Sequence, residues 1–264
     1  MFIMFSDPDE VRRRMESRAR RAMENAIPYD QFKLPKRVED VGIIAETFKP
    51  ENPLESIFPD VQVDEDPWKP GGLVDPSGTL RYRRSRFPKL YGLPIVSSQS
   101  FYVDDGRAFF TGDVVIPVLE HKREGWREWK VWMSLTPMEL HTQNSGIRAA
   151  TKKVVIAGLG MGWLFRQIAK KKTVKEIVVI EKDRNLLDWF GVKLCEQEEK
   201  VVDVVCDDFF NEESDWPHRF GKDTRFILDI WPGLGDAAWD FRLKKLRAEG
   251  WKAWAWGSPR GSRR

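Results

Sequence analysis

Short unbroken apolar runs, separated by amphipathic stretches, pattern the chain from Lys152 onward. Val154-Val155-Ile156-Ala157, Ile177 to Ile180, Val201 to Val205, Phe226-Ile227-Leu228 and Trp251 to Trp256 read as five strands. Between them, Leu164, Phe165 and Ile168, then Leu186, Leu187, Phe190 and Leu194, then Trp239, Leu243 and Leu246 recur at helical spacing, with Gly250 as a C-cap. Strands without polar alternation, set between helices, are buried on both faces in a parallel sheet. The pattern predicts a doubly wound, Rossmann-like α/β domain with a mostly parallel sheet, shortened after the fifth strand and preceded by a small β-rich region.

Upstream the texture changes. Asp7-Pro8 predicts an N-cap and first helical residue, opening a helix to about Asn25. Ten of the sixteen prolines fall between Pro28 and Pro94, so little regular structure is expected there. Phe101-Tyr102-Val103, Asp104-Asp105-Gly106 and Ala108-Phe109-Phe110 read as a hairpin, since Asp-Gly supplies the positive φ of a tight turn. Val114 to Leu119 and Trp129 to Leu135 are two further strands. Thr136-Pro137 restarts a helix to about Ala150, with Asn144-Ser145-Gly146 as its weak point. The expected division is residues 1–99 (helix and Pro-rich irregular region), 100–135 (β-hairpin segment) and 136–264 (Rossmann-like domain). No repeat of roughly 20 to 50 residues is present.

Charge and composition narrow the classes. The chain has 264 residues, 41% hydrophobic and 32% charged, enough apolar material for a core. Its 44 basic and 41 acidic residues leave a net charge of +3, too near neutrality for an obligate nucleic-acid binder on charge alone. No apolar run approaches the ~18 residues of a membrane span. The five apolar-rich residues from Met1 to Phe5 precede rather than follow the first arginines, so no signal peptide is expected. Two cysteines, Cys195 and Cys206, outside any CxxC spacing, give neither a disulfide framework nor a zinc site and fit a cytoplasmic location. Six arginines crowd Arg12 to Arg21 against Glu16 alone. They form either a solvated helix face or a contact with nucleic acid, an acidic partner or a sister subunit.

In doubly wound sheets ligands bind at the carboxyl ends of the strands. The chemistry-bearing residues stand at those ends: Gly158, Gly160 and Gly162 after the first strand, Glu181 after the second, Asp207-Asp208 after the third and Asp229 after the fourth. The glycines admit a close backbone approach and a sharp turn into a helix, or serve helix–strand packing alone. Glu181, 23 residues beyond Gly158, lies where an acid reaches nucleoside ribose hydroxyls. Asp207 and Asp208 could instead cap the next segment, and Asp229 could orient Trp231-Pro232-Gly233 in a turn.

The dinucleotide G-x-G-x-x-G pattern requires glycine where Trp163 stands; the spacing here is G-x-G-x-G. That loop, with an acid ending the second strand and Asp ending the third, resembles the class I S-adenosylmethionine-dependent methyltransferases. Within them it is most similar to the spermidine synthase-like branch, which also lacks an acid before the glycines, as Ile156-Ala157 does. The resemblance covers residues 136–256. It implies S-adenosylmethionine as cofactor, with Gly158, Gly160 and Gly162 around its methionine part, Glu181 on the ribose hydroxyls and Asp207 on the adenine amino group. It also implies Asp229 as the catalytic polar residue facing the transferred group. The acceptor is unknown.

Two acids that aminopropyltransferases carry are replaced by Met161 and Pro232, which argues against polyamine synthesis. Asp229-Ile230-Trp231-Pro232 only loosely echoes the amino-methyltransferase signature, and neither cysteine follows a proline as C5 methylation of cytosine requires. Sixth and seventh strands are missing, so the open sheet edge is covered by N-terminal strands or by a partner, such as a second copy in a homodimer. The alternatives to a methyltransferase are a non-catalytic cofactor-binding or interaction module, touching nucleic acid through the Arg-rich helix and the basic tail ending Arg263-Arg264, and an aminopropyltransferase. His121, His141 and His218 have no metal-ligand spacing, so no metal is expected. His141, just before the glycine strand, is a core or surface histidine or a neighbour of the cofactor. Trp163 either stacks on the adenosyl group or closes the site.

Overall fold

The computed structural model describes residues 7–33, 41–67, 71–94, 107–231 and 236–258. The first helix, α1 (Pro8–Glu24), begins where expected: Asp7 Oδ1 accepts the Asp9 N–H at 3.0 Å. Ala19 and Ala22 are its buried face, lying on Phe109. The approach is so close that a Cβ on Gly42 would stand 1.9 Å from the Ala22 carbonyl oxygen. Two of its arginines pair within the helix, Arg12 with Glu16 and Arg14 with Glu10.

Beneath α1 lies a four-stranded sheet of β1 (Ile27–Pro28), β2 (Val41–Ile44), β7 (Arg107–Phe110) and β6 (Gly92–Pro94), in that spatial order. Only the second arm of the anticipated hairpin, β7, falls among the described residues. Residues 101–106 lie outside the described residues, and β7 is paired on both edges, parallel to β2 and antiparallel to β6.

A second sheet orders β3 (Val63–Asp64), β5 (Leu80–Phe87), β8 (Val114–His121) and β9 (Lys130–Ser134), with β4 (Leu73–Val74) also on β5. The Pro-rich stretch is therefore more regular than its composition predicts. Pro76 and Pro88 bracket β5, so the strand itself contains no proline and pairs with β8 along its whole length, from Leu80↔His121 to Phe87↔Val114. Arg81 and Glu120 are register partners in that ladder and form a buried ion pair at 2.6 Å. Arg83 reaches the other carboxylate oxygen of Glu120 at 3.1 Å.

The helix α2 (Pro137–Ala149) follows, capped by Thr136, and leads into the third sheet. Its strands are β10 (Lys152–Ala157), β11 (Val174–Glu181), β12 (Val201–Cys206), β13 (Arg225–Leu228) and β14 (Lys252–Ala255). All are parallel, in the spatial order β12-β11-β10-β13-β14. The expected doubly wound arrangement is present: β10 sends Val154 and Ile156 to one face and Val155 and Ala157 to the other. The first face is covered by α3 (Trp163–Ala169) and by Leu186 and Leu187, in a core that continues into the two N-terminal sheets. The second is covered by α7 (Phe241–Ala248) through Leu243 and Leu246. Trp239, expected on that apolar face, ends the short helix α6 (Asp236–Trp239) and is 75% exposed. Gly250 is the C-cap anticipated, with φ of +85°.

Asn144-Ser145-Gly146, expected to weaken α2, instead seats the last strand. Gly146 leaves room for the Trp254 ring, which a Cβ would meet at 2.8 Å. Ser145 Oγ accepts from Trp254 Nε1 and Thr142 Oγ1 from Trp256 Nε1, both at 2.9 Å. Among the described residues no helix is long and apolar enough to cross a membrane.

Candidate active site

A cavity of about 950 Å³ opens at the carboxyl ends of β10, β11, β12 and β13 and is roofed by β8 and β9. Gly158, Gly160, Glu181, Asp207 and Asp229 all line it, so the topology gathers five of the six residues expected there. Gly162 is not among them; it caps α3 and faces Leu194.

The glycine loop is dictated by its surroundings. Gly158, Gly160 and Gly162 have φ of +85°, +53° and +80°, the left-handed region that glycine enters freely. A Cβ on Gly158 would stand 2.2 Å from the Asp229 carbonyl oxygen, and one on Gly160 would stand 2.4 Å from the Met133 sulfur. Packing within the chain therefore suffices to require these glycines. Met133, on β9, also receives the Met161 N–H on its sulfur at 2.8 Å, so the roof rests directly on the loop. Met161 itself is fully buried.

Glu181 ends β11 and is 4% exposed. Its Oε2 accepts the Leu159 N–H at 2.7 Å and its Oε1 the Asp183 N–H at 2.8 Å, tying the glycine loop to the second strand end. Burial raises its pKa, against those two N–H bonds. An ionised carboxylate has about four acceptor positions, and the N–H groups of Leu159, Asp183 and Lys182 take three of them, leaving one for a ligand.

Asp207 is more fully committed. Its Oδ1 accepts from the Asp208 N–H and from Asn211 Nδ2, its Oδ2 from Ser214 Oγ and Trp216 Nε1. The hydrogen bonds from Ser214 and Asn211 lead in holding its pKa down to about 2. The carboxylate thus organises the loop after β12, and its four acceptor positions are taken within the chain.

Asp229 follows β13, and its N–H donates to the Ala157 carbonyl at 2.8 Å, as a continuation of the sheet. Its Oδ2 accepts from Gln143 Nε2 at 2.9 Å. Burial, then the charge of Glu181, pushes its pKa up to about 7, against the Gln143 bond. Glu139, one turn before Gln143 on α2, accepts the Ser134 N–H at 2.9 Å, and burial with the neighbouring Asp229 charge pushes it up to about 8. Two carboxylates of raised pKa, Glu181 and Asp229, thus line the cavity, while Glu139 lies outside its lining; all three are held by amide donors and a hydroxyl rather than by cations.

Gln143, which holds Asp229, and Glu139, which feels the Asp229 charge, are neighbours of the site on α2 that the strand-end pattern does not include. Their i, i+4 spacing on the helix preceding the glycine strand is the signal the sequence offers for them. Trp163 packs against the core on the α3 side and does not line the cavity. His141 lies between the Tyr29 and Phe32 rings, centroids 5.2 and 4.7 Å away, as a core histidine. His121 does line the cavity, with its ring stacked on Trp132. Pro232 and the tail from residue 259 onward lie outside the described residues. Among the described residues no cluster of His, Cys, Asp or Glu could hold a metal ion.

No protein-family model matches the chain, and no curated protein matches it. Among solved structures that overlap it is a candidate RNA methyltransferase from Pyrococcus horikoshii, 22% identical with a TM-score of 0.31. The overlap covers 51% of this chain and 68% of that one. At that TM-score the likeness adds nothing to the strand order described above.

Proposed function

We propose that this chain is an S-adenosylmethionine-dependent, methyltransferase-like enzyme. The observation that carries the reading is the bond between Glu181 and the Leu159 N–H at the floor of a large cavity. It places a buried carboxylate and a glycine loop together at the carboxyl ends of adjacent parallel strands. The residues fit such a cofactor: Glu181 has acceptor capacity for a ribose hydroxyl, Gly158 and Gly160 border the cavity, and the carboxylates Glu181 and Asp229 favour a sulfonium. Asp207 contributes by shaping the adenine-side loop rather than by its own carboxylate.

Held by Glu181 beside Gly158 and Gly160, S-adenosylmethionine would supply an electrophilic methyl group for transfer to the acceptor. Asp229 receives the acceptor's proton; a pKa of about 7 suits it to hold or release a proton near neutrality. Gln143 fixes the orientation of that carboxylate. Beneath the β8–β9 roof, positioning of the acceptor supplies most of the rate. The buried Met161 stands where aminopropyltransferases carry an acid, which favours methyl transfer over aminopropyl transfer.

A non-catalytic role is the second reading, favoured by the glycines being explained by packing alone. Calorimetry separates the two. Ionised floor carboxylates bind a cation better, so S-adenosylmethionine should bind more tightly at about pH 8.5 than at about pH 6 and release protons on binding. Neutral S-adenosylhomocysteine should show a weaker pH dependence, and Glu181→Ala should lose both ligands. Absence of heat and of thermal stabilisation with either ligand would leave the non-catalytic role standing.

A further inference from the structure

The lining of the cavity mixes carboxylates and cations, and two of the cations, Arg123 and Arg242, are laid on aromatic rings. On one side, Asp240 accepts from Trp231 Nε1 at 3.1 Å and from the Arg242 guanidinium at 2.7 Å, and both donors line the cavity. Arg242 also lies over the Phe210 ring, 4.4 Å from its centroid. Asp240 is thereby pinned at the mouth, and its two neighbours in sequence, Trp239 and Phe241, are 75% and 74% exposed. They are the most exposed large apolar side chains among the described residues, with Lys244 Nζ 5.8 Å from the Trp239 ring. On the opposite side Arg123 lies 5.3 Å over Trp126, and Trp132 stacks on His121.

Exposed rings interleaved with guanidinium and ammonium groups are what a flexible polyanion with planar units requires: cations follow the phosphates and rings receive the bases. We infer that single-stranded nucleic acid lies across this mouth, seated on Trp239 and Phe241, with one base presented to the cavity. The inference rests on the proposed cofactor site only for the chemistry done on that base; holding the strand needs no cofactor. It also moves the contact away from α1, which presents no aromatic side chain. A duplex keeps its bases stacked and offers these rings nothing.

The test is fluorescence anisotropy with labelled single-stranded RNA and DNA of roughly 16 nucleotides, and with the matching duplex. No cofactor is added, and salt runs from about 50 to about 200 mM. Single strands should bind more tightly than duplex, with affinity falling as salt rises. Trp239→Ala with Phe241→Ala should weaken single-strand binding about tenfold or more per ring at an unchanged thermal midpoint, while Arg12→Ala with Arg14→Ala should change little. No single-strand binding at low salt, or equal binding by the two-ring variant, would overturn the inference. So would a dimer in light scattering that the two-ring variant converts to monomer, since the rings would then be a protein interface. S-adenosylmethionine stabilisation measured on the same samples keeps the two proposals separable: each can fail while the other stands.

Discussion

Gln143 Nε2 donates to Asp229 Oδ2 across 2.9 Å, joining the helix that precedes the parallel sheet to the end of its fourth strand. The bond opposes the rise in the Asp229 pKa that burial and Glu181 produce. Gln143→Leu should raise the Asp229 pKa further and move the pH midpoint of ligand binding upward, with a loss of about 1 kcal/mol in stability. A pH titration of binding by calorimetry reads the first effect and urea unfolding the second; an unmoved midpoint would show that the two side chains are uncoupled.

The two carboxylates beside α2, Asp229 and Glu139, should work against the fold at neutral and alkaline pH. In the unfolded chain Asp229 and Glu139 titrate near their ordinary values; in the folded chain they sit at about 7 and about 8. Raised values mean that their contribution to stability is complete in acid and is lost as pH rises through those values. Asp229→Asn and Glu139→Gln should therefore each raise Tm at about pH 8.5, by roughly 2 to 4 °C if ~1 kcal/mol is recovered, and gain little at about pH 4. Scanning calorimetry at the two pH values decides it, and a gain equal at both would refute the linkage.

His141 should give the opposite slope. Burial between Tyr29 and Phe32 lowers its pKa, so the folded protein resists its protonation and stability falls as pH drops below the ordinary histidine value. His141→Phe should flatten the Tm profile between about pH 7 and about pH 5. A parent and variant that lose Tm in parallel would place the acid sensitivity elsewhere.

Gly160 and Gly158 should differ in whether a neighbour can yield. Gly160→Ala forces a Cβ onto the Met133 thioether, a flexible side-chain end, whereas Gly158→Ala meets the Asp229 backbone. Both variants should be destabilised, by roughly 1 to 3 kcal/mol from the left-handed backbone alone. Met133→Ala should recover part of the loss in the Gly160→Ala background and none in the Gly158→Ala background. A double-mutant cycle in urea measures the difference.

Much of the Rossmann-like sheet is legible in the sequence because its strands are short apolar runs and its helices keep a clean period, and both faces of β10 and β11 are buried accordingly. Strand-end positions are equally legible, so Glu181 and Asp229 fall at the cavity as their place after an apolar run predicts. What the sequence hides is what tertiary contact decides. The strand Leu80–Phe87 carries four arginines, and only the opposite Glu120 makes Arg81 a buried residue. Asp207 reads as a ligand acceptor until Asn211, Ser214 and Trp216 converge on it. Trp239 fits the helical period of Leu243 and Leu246, yet Asp240 ends one helix and caps the next, turning the indole outward.

The seat of β14 on α2 has a consequence for the order in which the molecule is made. Trp254 and Trp256 hold Ser145 and Thr142, the two residues on either side of Gln143 and Asn144, more than a hundred positions earlier. A ribosome that has just delivered Asp229 has produced the cavity carboxylates Glu181 and Asp229 together with α3 and β13, on which α2 already packs, yet not the two indoles that hold Thr142 and Ser145. A chain arrested before Trp254 would carry its carboxylates and the α3 and β13 supports of α2, but without the two indole hydrogen bonds that clamp the turn bearing Gln143.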